Sequence, residues 1–320
     1  MAESMQLVAE YLKHALSHAV YTNGKVSIVS NSYERDAEST LSFLKVSKVY
    51  PRLLEERGEF AFSSPIELFA SGEMDILVLT TDGRTYLFEV IEDDVKLVDI
   101  TSIKPFHSYN CNPVTSTGTP SIGCVDEEEI LLLHGLPSGI IKERLKIPKE
   151  IAEDIEALHS FAAPLGPKTY IIGCSEEIHV FTKDGEVLDS IETEFPLSSH
   201  NILRRKGVAY IGAMDRIVTI RQTSEGIRVT FTSLAHLIDE LGLDPLLPMI
   251  MPLTAGEGWI SFAYGGKVIM MDEKLEKVLW AHRGFTMATG KEREYALISY
   301  EGREYSDIKL FKISLDTNSS

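Results

Sequence analysis

Lys168 to Thr193 reads KTYIIGCSEEIHVFTKDGEVLDSIET, a run that compresses three short strands and two tight turns. Tyr170-Ile171-Ile172 and Ile178-His179-Val180-Phe181 are rich in β-branched and aromatic residues, with Ser175-Glu176-Glu177 turning the chain between them. Lys183-Asp184-Gly185 marks a second hairpin before Val187-Leu188-Asp189-Ser190-Ile191. The pattern is that of an up-and-down meander. Standing alone, such a meander exposes two edges and an apolar face, so it persists only where neighbours cover it.

The chain supplies those neighbours. Asp75 to Ile91 reads DILVLTTDGRTYLFEVI with Asp82-Gly83 as its hairpin signal, and Leu97 to Ile100 is the next strand. Gly207 to Phe231, Trp259 to Trp280 and Tyr295 to Ile313 follow the same plan through turns at Met214-Asp215, Gly265-Gly266 and Glu301-Gly302. Ser121 to Ile147 repeats it more loosely around Asp126-Glu127-Glu128, and Ala19 to Val29 is a further copy through Asn23-Gly24. Roughly seven copies recur at about 40 to 50 residues, the period of four-stranded propeller blades.

By this period and turn chemistry nearly the whole chain resembles the β-propeller superfamily, in the manner of WD-like or quinoprotein-like repeats. It departs from those families in lacking a Trp-Asp dipeptide closing the blades, a Gly-His signature and Asp-box motifs. The expected fold is therefore all-β, a propeller of seven four-stranded blades with short helical insertions. The resemblance implies a rigid disc with loop-built faces, used in that superfamily mostly for protein contacts and less often for catalysis at the mouth of the central channel.

Composition sets outer limits. The 320 residues are 44% hydrophobic and carry a net charge of −17, a balance that repels phosphate backbones and argues against direct nucleic-acid binding. The only tight basic run is Arg204-Arg205-Lys206. No run of apolar residues is long enough to span a bilayer, and the N-terminal stretch lacks the basic and apolar regions of a secretory signal, so a cytoplasmic protein away from membranes is expected. Cys111, Cys124 and Cys174 have no Cys-x-x-Cys spacing and read as reduced, partly buried thiols. Glutamine occurs only at Gln6 and Gln222, a scarcity of thermolabile amides that leans toward a heat-adapted source.

Met5 to Ala19 admits two readings. Leu7, Val8, Tyr11, Leu12, Ala15 and Leu16 fall at helical spacing, and locally the helix is preferred. An extended Gln6 to Tyr11 would instead supply the outer strand that the last copy lacks, closing the ring. Residues 1–18 are accordingly a helix or a ring-closing strand, 19–316 a single propeller domain and 317–320 a disordered tail. Thr101 to Pro120 is a long Ser-, Thr-, Asn- and Pro-containing loop. Glu150 to Leu158 is expected as a short acidic helix with Ile151, Ile155 and Leu158 in one stripe, and Ser233 to Gly242 as a second with Ser233 as its N-cap. Asp244 to Leu253 contains three prolines, so it is either the inner strand of the next blade or a greasy surface patch.

Two functional readings follow. No nucleotide loop, nucleophile elbow or zinc-hydrolase helix is present, which favours a non-enzymatic scaffold or adaptor offering an acidic surface to a protein partner. Its contact residues would be Leu234, Leu237, Ile238, Leu241, Leu246, Leu247 and Met249. The alternative is a metal-dependent hydrolase or lyase. His107, His159 and His200 each precede a meander, and corresponding positions on neighbouring blades converge on one channel mouth, where three imidazoles could hold a divalent metal. Against it, each histidine could bond within its own blade, as in WD-type repeats, with Ser175 and Glu176 serving His159 and Asp215 serving His200. No cofactor is expected otherwise.

Overall fold

The computed structural model describes residues 5–13, 16–22, 25–30, 39–46, 54–91, 94–156, 160–174, 176–245, 250–256, 258–284, 286–288, 295–301 and 306–313. The first strand, β1 (Met5–Lys13), is followed by a blade of β2 (Leu16–Thr22), β3 (Lys25–Ser30), β4 (Ser39–Val46) and β5 (Leu54–Phe62). Blade two is β6 (Ile66–Ser71), β7 (Asp75–Thr80), β8 (Arg84–Ile91) and β9 (Asp94–Ser102). Blade three is β10 (Cys111–Ser116), β11 (Ser121–Val125), β12 (Glu129–Leu136) and β13 (Gly139–Lys146). Blade four is β14 (Ser160–Pro164), β15 (Thr169–Cys174), β16 (Glu177–Thr182) and β17 (Val187–Glu192). Blade five is β18 (Leu197–Arg205), β19 (Val208–Ala213), β20 (Arg216–Thr223) and β21 (Gly226–Ser233), followed by the helix α1 (His236–Leu241). Blade six is β22 (Met251–Gly256), β23 (Trp259–Tyr264), β24 (Lys267–Asp272) and β25 (Val278–Arg283). The last sheet combines β26 (Thr286–Ala288), β27 (Tyr295–Glu301) and β28 (Ser306–Ile313) with β1 on its outer side.

Consecutive sheets touch around the molecule, and the last packs on the first through β2, β26 and β27. The helical reading of Met5 to Ala19 is overturned. Met5–Lys13 is a strand paired antiparallel with β28 from Met5 opposite Ile313 to Lys13 opposite Ser306. A tertiary ladder outweighs local periodicity here, because the strand satisfies the otherwise open edge of β28.

Position within a blade dictates burial. The second strands β7, β15 and β19 are buried at every residue, since neighbouring sheets cover both faces. Outer strands such as β17 alternate with the two-residue period of a half-solvated strand. Close contact between blades needs missing side chains. A Cβ on Gly123 in β11 would lie 2.1 Å from the carbonyl oxygen of Ala162 in β14, and one on Gly212 in β19 would lie 2.6 Å from that of Ile250. Asn112 completes the first junction: its Nδ2 donates to Ala162 O at 3.1 Å, and Ala162 N donates to its Oδ1 at 2.9 Å. The buried side chain thus acts as a one-residue strand neighbour.

The inner strands are not evenly spread. β10 and β18 pair in parallel, with Val114, Thr115 and Ser116 opposite Ile202, Leu203 and Arg204, so blades three and five join into one eight-stranded sheet. β14 stands outside that pair, packed against β11. Part of the long segment Thr101 to Pro120 is therefore inner strand β10, preceded by a 3-10 turn at Ser108–Asn110. In-register pairing sets Cys111 and Cys124 opposite each other, and they form a disulfide instead of the expected free thiols. Cys174 is buried.

The helical insertions are smaller than expected. Residues 150–154 form turns, with Ile151 N donating to Pro148 O and Asp154 N to Ile151 O. The second insertion keeps six residues of helix, α1, whose N-cap is Ala235 and whose C-cap is Gly242 in the left-handed region. No helix among the described residues is long and apolar enough to cross a membrane.

One buried charge stands out. Asp75, 7% exposed, lies directly opposite Glu89, and its Oδ1 has no hydrogen-bond partner. Loss of hydration, reinforced by the Glu89 carboxylate, pushes its pKa up to about 6. The folded protein therefore binds this proton more tightly than the unfolded chain, and stability falls as pH rises from 3.8 through about 6. Asp75→Asn should raise the melting temperature at pH 7.5, with the advantage shrinking toward pH 4.5; a gain independent of pH would refute the assignment. Gly123→Ala should cost about 3 kcal/mol in urea unfolding. Gly185→Ala, in a turn at φ +85° with nothing within 4 Å, should cost only about 1 kcal/mol; equal losses would remove the blade-contact explanation.

Candidate functional site

Turns in an up-and-down meander alternate between its two ends. The turn from second to third strand and the connector to the next blade therefore share one face of the disc. The connectors are stitched to those turns: Ile103 N donates to Gly83 O, Ile147 N to Glu128 O, Thr193 N to Glu176 O and Leu234 N to Asp215 O, at 2.7 to 3.1 Å. Among the described residues of these segments in blades two to six, the basic side chains are Lys104 and Lys149. Against them stand exposed carboxylates including Glu127, Glu128, Glu153, Glu176, Asp239 and Glu240. Tyr109, 58% exposed, and Met214 add apolar surface to the same face. The opposite face mixes signs, with Lys168, Lys183, Lys206 and Lys274 among Glu73, Asp184 and Glu225.

The residues expected from sequence fall unevenly on this frame. His107 is exposed and stacked on Tyr109, ring centroids 5.0 Å apart. His159 and the side chain of His200 lie outside the described residues. Leu234 and Leu237 are fully buried in the protein's own core with Tyr210, Ile217 and Phe262, and Ile238 and Leu241 pack partly buried against it. The apolar side of α1 is thus turned inward, held by the Lys267 ammonium on Leu241 O and by Asp244 N on Gly265 O. Ile151 and Ile155 are likewise core residues. Leu246, Leu247 and Met249 lie outside the described residues. The basic run is no surface patch, because Arg205 is buried and joins blade five to blade six through Glu273 Oε1 at 2.5 Å and Trp259 O at 3.3 Å.

Two histidine clusters were not singled out from the sequence. In β12, His134 faces Ser121 across the ladder, with Ser121 Oγ 3.0 Å from Nδ1. Its Nε2 is 3.4 Å from Glu143 Oε2. Glu143 also accepts from Tyr170 Oη at 2.9 Å and from Lys183 Nζ at 2.6 Å, both on blade four. One carboxylate thus clasps two blades. Burial holds the His134 imidazole below its ordinary pKa, partly opposed by Glu143.

In β16, His179 faces Ser190, Nδ1 to Oγ 2.9 Å. Strand alternation places Glu177 on the same side, with Oε2 3.4 Å from His179 Nε2. Asp154 arrives from the preceding connector, which is pinned by buried Ile151 and Ile155 and by Glu156 N donating to Cys174 Sγ at 3.4 Å. One donor atom from each of Asp154, Glu177 and His179 lies within 4.8 Å of the others. Burial lowers the pKa of His179 against the pull of both carboxylates. The pair Glu177 and His179 was visible as an alternating couple in the sequence; Asp154 had no local signal.

No protein-family model and no curated protein sequence matches the chain. Solved structures do. The Cps50 (Swd1) β-propeller domain of Myceliophteria thermophila aligns over 94% of this chain and 100% of its own, with a TM-score of 0.55 at 8% identity. BBS1N, solved in complex with ARL6DN, aligns over 99% of both chains with a TM-score of 0.58 at 13% identity. At such identities the likeness defines the fold: this chain is a β-propeller.

The His134 clasp makes stability depend on pH. The folded pKa lies below the unfolded value of 6.5, so the unfolded chain takes the proton first and stability declines as pH falls through 6.5 toward the folded value. His134→Gln should flatten the fall in melting temperature between pH 7.5 and 5.5; an unchanged slope would place that proton uptake elsewhere.

Proposed function

We propose that this protein is a non-enzymatic interaction module whose acidic face docks a basic segment of a partner protein. The carrying observation is the segregation of charge. Carboxylates crowd one end of the blades while the other end is mixed, and a face dominated by one sign steers oppositely charged partners and rejects like-charged ones. The net charge of −17 reinforces that field at long range. Tyr109 and Met214 on this face offer the apolar contact area that interfaces favour beside their charges. Protein contact also suits the fold: one structural neighbour, BBS1N, was solved in complex with ARL6DN. The partner surface differs from the one expected from α1, whose leucines are occupied in the core.

The test is fluorescence anisotropy with synthetic Lys/Arg-rich peptides and acidic counterparts of equal length. Basic peptides should bind, weaken as salt rises, and lose about tenfold in affinity with the triple variant Glu127→Lys, Glu128→Lys, Glu153→Lys. Lys168→Glu with Lys206→Glu, on the other face, should leave binding unchanged. Equal affinity for basic and acidic peptides, or equal loss in both variants, would overturn the proposal.

A further inference from the structure

We propose that Asp154, Glu177 and His179 form a binding site for a divalent first-row transition ion of the zinc type. The site is independent of partner docking and needs no residue of the triple variant. His179 carries the case. Its side chain is 5% exposed, and its Nε2 is buried without a hydrogen-bond partner, a costly position for a polar atom. Nε2 faces Glu177 Oε2 at 3.4 Å, in ion-pair range but outside hydrogen-bond alignment, and a carboxylate oxygen of Asp154 completes a group of donors within 4.8 Å of one another. Its other nitrogen is engaged by Ser190 Oγ at 2.9 Å. That is the outer-shell arrangement of metal-binding histidines, in which one ring nitrogen is held by an oxygen so that the second faces the ion.

The donor set selects the ion. One imidazole and two carboxylates suit zinc and its first-row neighbours, whereas calcium takes six to eight oxygens. Zinc ligands at about 2.0 to 2.1 Å place tetrahedral donors roughly 3.3 Å apart. Glu177 Oε2 already stands near that spacing from Nε2 at 3.4 Å, and all three donors lie within 4.8 Å of one another, so closing the site around a fixed imidazole takes a shift of at most about 1.5 Å. The carboxylates can make it: Asp154 is exposed and Glu177 half-buried, while His179 is locked in β16 between β15 and β17. Three protein donors leave a fourth position for water or an incoming group.

Untagged full-length protein stripped with chelator and dialysed should be titrated calorimetrically with zinc chloride. We expect one ion per chain, saturating at micromolar zinc, and at least a tenfold weakening in each of Asp154→Asn and Glu177→Gln. These two side chains reach solvent, so far-ultraviolet circular dichroism should match the parent and keep the test valid where His179→Asn fails to fold. Cobalt(II) should give the visible absorption of a tetrahedral site in the parent and lose it in both carboxylate variants. Absence of saturable zinc and cobalt binding in the folded parent, or binding unchanged by both substitutions, would overturn the site. Peptide binding by the acidic face is read separately, so failure of one leaves the other standing.

Discussion

The rest of the structure leans on the ladder between β1 and β28, which joins the first and last described strands in one sheet. Without β1, the last blade would have three strands and an open edge, and the neighbouring first blade would lose part of its cover. Closure also makes every blade a neighbour of two others, which is what buries β7, β15 and β19 on both faces. None of these sheets could bury both sides alone.

Given closure, each junction is solved with different chemistry. Between blades one and two, Phe60, Phe62, Tyr86 and Phe88 meet edge to face. Blades three and four approach through Gly123 and Asn112 and are clasped by Glu143. Blades five and six use Gly212 and the buried Arg205 with Glu273. A shared backbone plan with unshared side chains is consistent with repeats that agree in shape more than in letters, and with structural neighbours at 8% and 13% identity.

The same plan separates support from function. β10 and β18 meet in parallel near the axis, so the inner ring on that side is spent on backbone pairing. The connectors and turns carry the charge, and their hydrogen bonds to one another make an acidic surface of fixed geometry. His179 sits where the two regimes meet. Its strand is core, while Glu177 and Asp154 beside it belong to the acidic face.

Much of the fold was legible in linear order because meanders are local: hairpin turns such as Asp82-Gly83 and alternating runs such as Thr40 to Val46 declare themselves within a few residues. Even so, local spacing misled where the partner was distant. Leu7, Val8, Tyr11 and Leu12 match a helix, yet their strand is set by β28 at the far end of the chain, and Ile151 and Ile155 match a stripe but are anchors of a turn. The recurring Ile-Gly at 122–123, 172–173 and 211–212 was readable as a mark of second strands and was missed. What the amino-acid order determined by itself is the meander, its period, its acidity and the Glu177–His179 couple. Only the tertiary structure decided that the leucines of α1 turn into the core, which cysteines met and that Asp154 reaches His179, since those depend on contacts between segments whose separation along the chain carries no information about their distance in space.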